Sequence, residues 1–317
     1  MNNYIEQAEL FLNSCVFDGL AHSYDVNNGI WVKPYPEVTG YLLNYFFSNK
    51  DNISENILMA ADNLTSIQHD TGGYSSFFDK DYLYAFDTAQ ILVGLVAAYK
   101  RLGKEIYKEK ALKASEFLLK SQCSNGAIIP IYNTKNKEFV IDCNTYKLWG
   151  GAWSGLMAKL SEAFTSLFSI TSDDAFLDAK QLIRQFYRNS SYIHHSHPLG
   201  YWMEGMYDCG EYELLKKVVD DKVLPRLENN GFIAYTEDLD FAYVSGNAQL
   251  AIILKKLGYE NEAKTIRDYI RNVQSNHDSG GIFQYANKDG TLNSSIHTEI
   301  NSWGTKYFCE LERICEE

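Results

Sequence analysis

Along 317 residues, six apolar-periodic segments with few charges alternate with six that carry charge on one face, and Gly-containing turns of one kind recur between them. The repeat runs from residue 4 to 315 without a Pro- or Ser-rich linker or a low-complexity block. These observations predict an all-α fold, an (α/α)6 toroid of six helical hairpins in a closed ring, with short loop strands and a single domain over 1–317. Apolar residues three and four apart mark helices that bury one face; a helix with little charge around it is buried, and one with a charged face lies at the surface.

The weakly charged segments begin at residues 37 (EVTGYLLNYFF), 86 (FDTAQILVGLVAAY), 148 (LWGGAWSGLMAKLSEAF), 197 (HPLGYWMEGMYDCG), 243 (YVSGNAQLAIILKKLG) and 300 (INSWGTKYFCELERI). They are the expected inner helices. The charged segments begin at 4, 53, 106, 174, 211 and 259. They are the expected outer layer, the first of them packing beside the last inner helix.

Four turns share one grammar: HDTGGY after Gln68, KSQCSNGAIIPIY around Gln122, LENNGFIAYTED from 227, and NVQSNHDSGGIFQY around Gln274. Each follows a helical pattern with a polar turn, a glycine, and then β-branched or aromatic residues. A repeated unit of this kind exposes an architecture that single elements conceal. The stretch from 66 to 100 also raises a chemical question, because it carries Tyr74, Phe77, Phe78, Tyr82, Tyr84 and Phe86 and then Asp87. Sugars present C–H faces for rings and hydroxyls for carboxylates and amides, so a glycan cleft needs such a mixture.

Charge excludes some partners. With 29 Lys and Arg against 41 Asp and Glu, the net charge is −12, and no basic run occurs, so nucleic acid is not an expected partner. No span of about 20 apolar residues suits a membrane helix. The start, MNNYIEQAELFLNSCVF, lacks a secretory pattern. Six cysteines without CxxC spacing read as packed thiols of a cytoplasmic protein.

The starts of the inner helices gather polar and aromatic residues: Glu37, Asp87, Trp149 and Trp153, then His197, Tyr201 and Glu204, then Ser245, Asn247 and Gln249, then His297, Glu299, Asn301, Trp303 and Lys306. With Trp31 they are expected to line the mouth of the ring. Asp87 and Ser245 stand where N-caps belong, and Glu37 at a helix start also gains from the macrodipole. Glu204 lies inside a nearly uncharged helix, where an unpaired carboxylate is costly. His194, His195 and His197 are sequence neighbours without further convergent ligands, so neither a metal nor another cofactor is expected. Asp173, Asp174 and Asp178 fall at the start of an outer helix and read as capping residues.

Two resemblances add to this. HDTGGY and HDSGGIF resemble the turns of the terpenoid-cyclase and protein-prenyltransferase toroids, but a DxDD sequence and an Asp, Cys, His zinc set are missing, so the likeness is one of scaffold. YPEVTGY, FDTAQILVGLVAAY, HPLGYWMEGMYDCGEY, VSGNAQLAI and INSWGTKYF together resemble a bacterial toroid family of polysaccharide-biosynthesis proteins, distantly similar to glucuronyl epimerases. That resemblance implies a glycan-linked role and points to Glu37, Asp87, Tyr201, Glu204, Asn247, Trp303 and Lys306.

The resulting expectation is an enzyme acting on an oligo- or polysaccharide. A glycoside hydrolase needs a carboxylic acid and a carboxylate, and the expected pair is Glu204 as acid with Asp87 or Glu37 as base; Asp240 and Glu299 are further candidates. The alternative is a sugar or uronate epimerase or a polysaccharide lyase, drawing on Tyr201, His197, Asn247, His297 and Lys306. A second alternative is a glycan-binding protein without turnover.

Overall fold

The computed structural model describes residues 3–32, 34–76, 79–140, 155–189 and 195–316. Trp149, Trp153 and His194 lie outside the described residues. Twelve α-helices occur among the described residues. In chain order they are α1 (Tyr4–Ser14), α2 (Pro36–Asn49), α3 (Glu55–Ser66), α4 (Ala85–Leu102), α5 (Glu105–Ser121), α6 (Ser161–Thr171), α7 (Asp174–Tyr187), α8 (Ser196–Asp208), α9 (Tyr212–Val218), α10 (Val244–Lys256), α11 (Glu260–Ser275) and α12 (Ser302–Glu316). None is long and apolar enough to cross a membrane.

Strands are only two or three residues long: β1 (Val16–Phe17), β2 (Leu20–Ala21), β3 (Tyr24–Asp25), β4 (Ile30–Trp31), β5 (Tyr82–Tyr84), β6 (Ile131–Asn133), β7 (Glu138–Phe139), β8 (Phe241–Tyr243), β9 (Ile282–Phe283), β10 (Tyr285–Asn287) and β11 (Glu299–Asn301). They pair antiparallel, in the orders β1-β2, β5-β6-β7, β4-β3-β11-β9 and β10-β8.

The alternation of charge in the sequence becomes an alternation of burial. In α4 every residue from Ala85 to Ala98 is buried, and in α10 every residue from Val244 to Leu254. By contrast α7 buries only Phe176, Ala179, Ile183 and Tyr187, a single stripe at helical spacing.

The chain forms two compact units. The first comprises Met1–Cys15, His22–Lys33 and Tyr192–Glu317, and so holds α1 and α8 to α12. Here α1 packs on α12, as expected, and Arg313 pairs with Glu9 at 2.7 Å. The second comprises Val16–Ala21 and Pro34–Ser191, with α2 to α7.

The recurring turn has a structural meaning in both units. Gln68, just beyond α3, donates Nε2–H to the Lys110 carbonyl of α5 at 2.9 Å. Gln122, at the end of α5, does the same to the Ala179 carbonyl of α7 at 2.8 Å, and Gln274 of α11 to the Tyr4 carbonyl of α1 at 3.0 Å. The glycine of each turn then lies against the neighbouring charged helix. A Cβ on Gly72, Gly126, Gly231 or Gly280 would strike the carbonyl of Lys113, Leu182, Thr265 or Gln7, and all four have φ between +77° and +95°. Only glycine meets both conditions without strain.

Candidate functional site

In the unit of α8 to α12, the site is built where α8 crosses α10. A Cβ on Gly246 would meet the backbone of His197 at 2.7 Å, and one on Gly200 the Gln249 side chain at 2.8 Å, so glycines let the helices approach. The start of α8 is tied down by Ser196 N–H, which donates to the Tyr235 carbonyl at 2.9 Å. The Arg226 guanidinium donates to the same carbonyl and to that of Ala234.

His197, the second residue of α8, is 6% exposed. Its Nδ1 lies 2.6 Å from Gln249 Oε1, and Gln249 Nε2 donates to Glu204 Oε2 at 2.9 Å. Tyr307 Oη approaches the same carboxylate oxygen at 3.4 Å. The imidazole stacks on Tyr243 (centroids 4.6 Å apart, 19° between planes) and tilts against Tyr201 at 4.4 Å. Burial disfavours the imidazolium and pulls the His197 pKa down to about 4, against the opposing hydrogen bond to Gln249.

Around this centre the expected residues divide. Trp303 and Gln284 donate to the Tyr243 hydroxyl, Gln284 from 3.3 Å, and the phenol of Tyr243 is pushed up by burial. Tyr285 meets Tyr243 edge-on at 4.9 Å, and His297 lies 6.3 Å from Tyr285. His297 Nδ1 is 3.6 Å from Glu299 Oε1. Burial raises the Glu299 pKa, the neighbouring His297 opposes this, and Asp25, opposite it in the β3–β11 register, adds to the rise.

Trp31 is 36% exposed on the edge strand β4 and packs on Tyr24 and Phe11. Asn301 does local work, accepting from Gly304 N–H at 2.6 Å at the start of α12. Lys306 pairs with Glu310 at 2.8 Å and lies 4.1 Å from the Tyr307 ring centroid. Asn247 is fully buried, with neither polar side-chain atom hydrogen-bonded among the described residues. His195 is exposed and leans on Tyr235, so His195 and His197 turn to different partners.

The other unit holds a second constellation. On α2 Glu37 follows Pro36, and on α4 Asp87 is the third residue. The two helices cross at Gly40 and Gly94, where a Cβ on Gly94 would strike the Gly40 carbonyl. Burial pushes the Asp87 pKa up to about 7. It also raises Glu37 well above the usual carboxylate range, Asp87 adding by like charge while a hydrogen bond from Tyr41 opposes. Gln90, one turn beyond Asp87, is 2% exposed, and its Nε2 has no hydrogen-bond partner among the described residues.

Helix boundaries correct two expectations. Because α4 starts at Ala85 and α10 at Val244, Asp87 and Ser245 lie inside the first turn rather than at the N-cap, which falls on Tyr84 and Tyr243. Asp173, in contrast, caps α7 by accepting from Ala175 N–H at 3.0 Å. In the aromatic stretch before Asp87, Tyr74, Tyr84 and Phe86 belong to the core and Tyr82 is half-buried, while Phe77 and Phe78 lie outside the described residues. Sequence reasoning missed Tyr243, Gln284 and Tyr307, whose only signal is their position beside inner-helix starts or candidate residues.

No protein-family model matches the sequence, and no curated protein matches it. Solved structures do. A cellobiose 2-epimerase from Bacillus thermoamylovorans B4167 aligns with a TM-score of 0.75 over 100% of both chains at 12% identity. A D-mannose isomerase aligns at 0.74 over 99% of this chain and 96% of that one at 13% identity. An unsaturated glucuronyl hydrolase specific for heparin aligns at 0.66 over 99% and 96% at 12% identity. At such identities the likeness is one of fold, and it places the chain in the all-α (α/α)6 toroid class with short loop strands.

Proposed function

We propose that the chain is a carbohydrate-active enzyme that moves a proton on a sugar carbon next to a carbonyl, as a sugar epimerase or isomerase, with His197 as the base. The observation that carries this reading is a neutral imidazole, nearly buried between the rings of Tyr201 and Tyr243. Such an imidazole accepts a proton without first losing one. The imidazolium it becomes is disfavoured by burial in the resting enzyme, and the enediolate formed beside it supplies the compensating charge. General bases of this kind contribute roughly 10²- to 10⁴-fold. The aromatic walls suit the C–H faces of a sugar and keep water from the intermediate. Two of the structural neighbours, a cellobiose 2-epimerase and a D-mannose isomerase, support the substrate class.

One observation favours hydrolysis as the second reading. The like charge of Asp87 adds to the rise of Glu37, and Asp87 itself titrates near 7, so at neutral pH the pair offers a protonated Glu37 beside a carboxyl that is about half ionised, an acid and a carboxylate of the kind that glycoside cleavage uses. The glucuronyl hydrolase is the neighbour on that side.

Incubation with cellobiose and with D-mannose in D₂O, followed by NMR, tests both. Proton transfer yields an epimer or isomer, with deuterium entering at the C2 position wherever the proton exchanges with solvent, and His197→Asn abolishes it. Release of new reducing ends that survives His197→Asn and is lost in Asp87→Asn would replace the first reading by the second.

A further inference from the structure

We infer that Gln249 and Glu204 form one positioning unit that holds His197 with its proton on Nδ1 and presents Nε2 as the basic nitrogen. Glu204 then serves the imidazole and is not the acid that meets substrate. The positioning role rests on the reading of His197 as the base; the tautomer does not.

The argument follows from donors and acceptors. An ionised carboxylate only accepts, so the group of Gln249 that faces Glu204 Oε2 at 2.9 Å is its NH₂. That fixes the amide, and the other end, Oε1, faces His197 Nδ1 at 2.6 Å. A carbonyl oxygen also only accepts, so Nδ1 carries the hydrogen. In a neutral ring the lone pair is then on Nε2, which has no hydrogen-bond partner among the described residues. Ser245 Oγ lies farther from Nδ1, at 3.4 Å, and adds little.

Turning the amide over would set its oxygen against the carboxylate and its NH₂ against Nδ1, losing the bond to Glu204 and, unless the ring moves its hydrogen to Nε2, the bond to His197 as well. Gln249 is fully buried, so water does not replace either. Which imidazole nitrogen reacts is commonly set by the hydrogen bond the other one makes. The negative charge of Glu204 reaches the ring through the amide dipole and favours the imidazolium as it forms. A carboxylate placed this way changes the rate through His197 without touching the sugar.

Long-range ¹H–¹⁵N NMR of the uniformly ¹⁵N-labelled full chain reads the tautomer directly, with the His197 signals identified by their loss in His197→Asn. The expected wild-type pattern is a protonated Nδ1 and an unprotonated Nε2. In Gln249→Leu the ring changes to the Nε2–H form or a mixture, and kcat falls about 10²-fold or more with little change in KM. Gln249→Glu keeps Nδ1–H and moves the His197 titration to higher pH. Glu204→Gln frees the amide to turn and gives mixed tautomers, so the inference stays testable if Gln249→Leu fails to fold. A wild-type ring protonated on Nε2, or a tautomer unmoved by Gln249→Leu in a folded protein, overturns the inference. If the tautomer responds as stated while no variant and no wild type exchanges a sugar proton, the functional reading fails and the geometry of the unit stands.

Discussion

Asp87 in one unit and His197 in the other are both pushed toward the neutral form by burial at the start of an inner helix, but they approach it from opposite sides. For the carboxyl, neutrality means holding a proton; for the imidazole, it means refusing one. The difference teaches that acid acts on the two units with opposite sign. The folded Asp87 titrates near 7 against 3.8 for the ordinary group, so the folded state binds the extra proton between those values, and this contribution to stability grows as pH falls through 7. The folded His197 titrates near 4 against 6.5, so the unfolded state binds the extra proton in that window, and stability falls as pH drops from 6.5 to 4. The two sites also differ in how they are closed. The carboxyl pair has a hydrogen bond from Tyr41 to Glu37, whereas the imidazole has a partner chain that runs through Gln249 to Glu204.

The sharpest way to break this comparison is to remove the crossing that creates the carboxyl pair. Gly94→Val places new atoms against the Gly40 backbone, and overpacking of this kind is expected to cost about 3 kcal/mol or more. Urea unfolding measures it, and an unchanged midpoint shows that α2 and α4 do not depend on this contact. Next in size, His197→Asn should reduce sugar-proton turnover by about 10²- to 10⁴-fold while circular dichroism stays that of the wild type; undiminished turnover moves the chemistry away from this unit.

Acid then sharpens the contrast. From pH 6.5 to 4 the wild type should lose about 3 kcal/mol through His197, at about 1.4 kcal/mol per unit of pKa shift, a loss that His197→Asn lacks. Unfolding free energies of both proteins at pH 7 and 4.5 decide this, and parallel losses count against a buried neutral histidine. The smallest effect at neutral pH is that of Asp87→Asn, expected within about 1 kcal/mol of wild type because an amide of the same shape replaces a carboxyl that is about half protonated there. Its deficit should widen as the pH is lowered from 7 to 5. A constant difference would mean that Asp87 is ionised in the folded protein.

Much of this was legible because it is periodic. Charge alternates between inner and outer helices, and glycine recurs at each turn, so local sequence states both the helices and their layers. Pairing across helices is not local. His197 meets Gln249 52 positions away, through a crossing at Gly200 and Gly246 that the sequence marks only as two glycines. The partner of Glu204 is hidden for the same reason: an acid inside an apolar helix signals that it has a partner, but not that the partner is an amide that also meets a histidine. In the aromatic loop before Asp87, composition suggested a sugar surface, whereas Tyr74 and Phe86 fill the core. Aromatic content alone does not distinguish the two, since both uses bury the same ring area.

The four turn glycines carry one further consequence. At each, a bare Cα meets a carbonyl of the neighbouring charged helix, and at three of the turns a glutamine amide grips another main-chain oxygen of that helix. The acceptors are all backbone, so these joints do not read the identity of the residues they hold. Lys110, Ala179 and Tyr4 could each be exchanged for most other helix-forming residues without loosening the joint, because what is gripped is a carbonyl that every amino acid possesses. The outer layer is therefore fastened by a few fixed letters and is otherwise free to drift, leaving its surface open to charges and contacts that owe nothing to the fold.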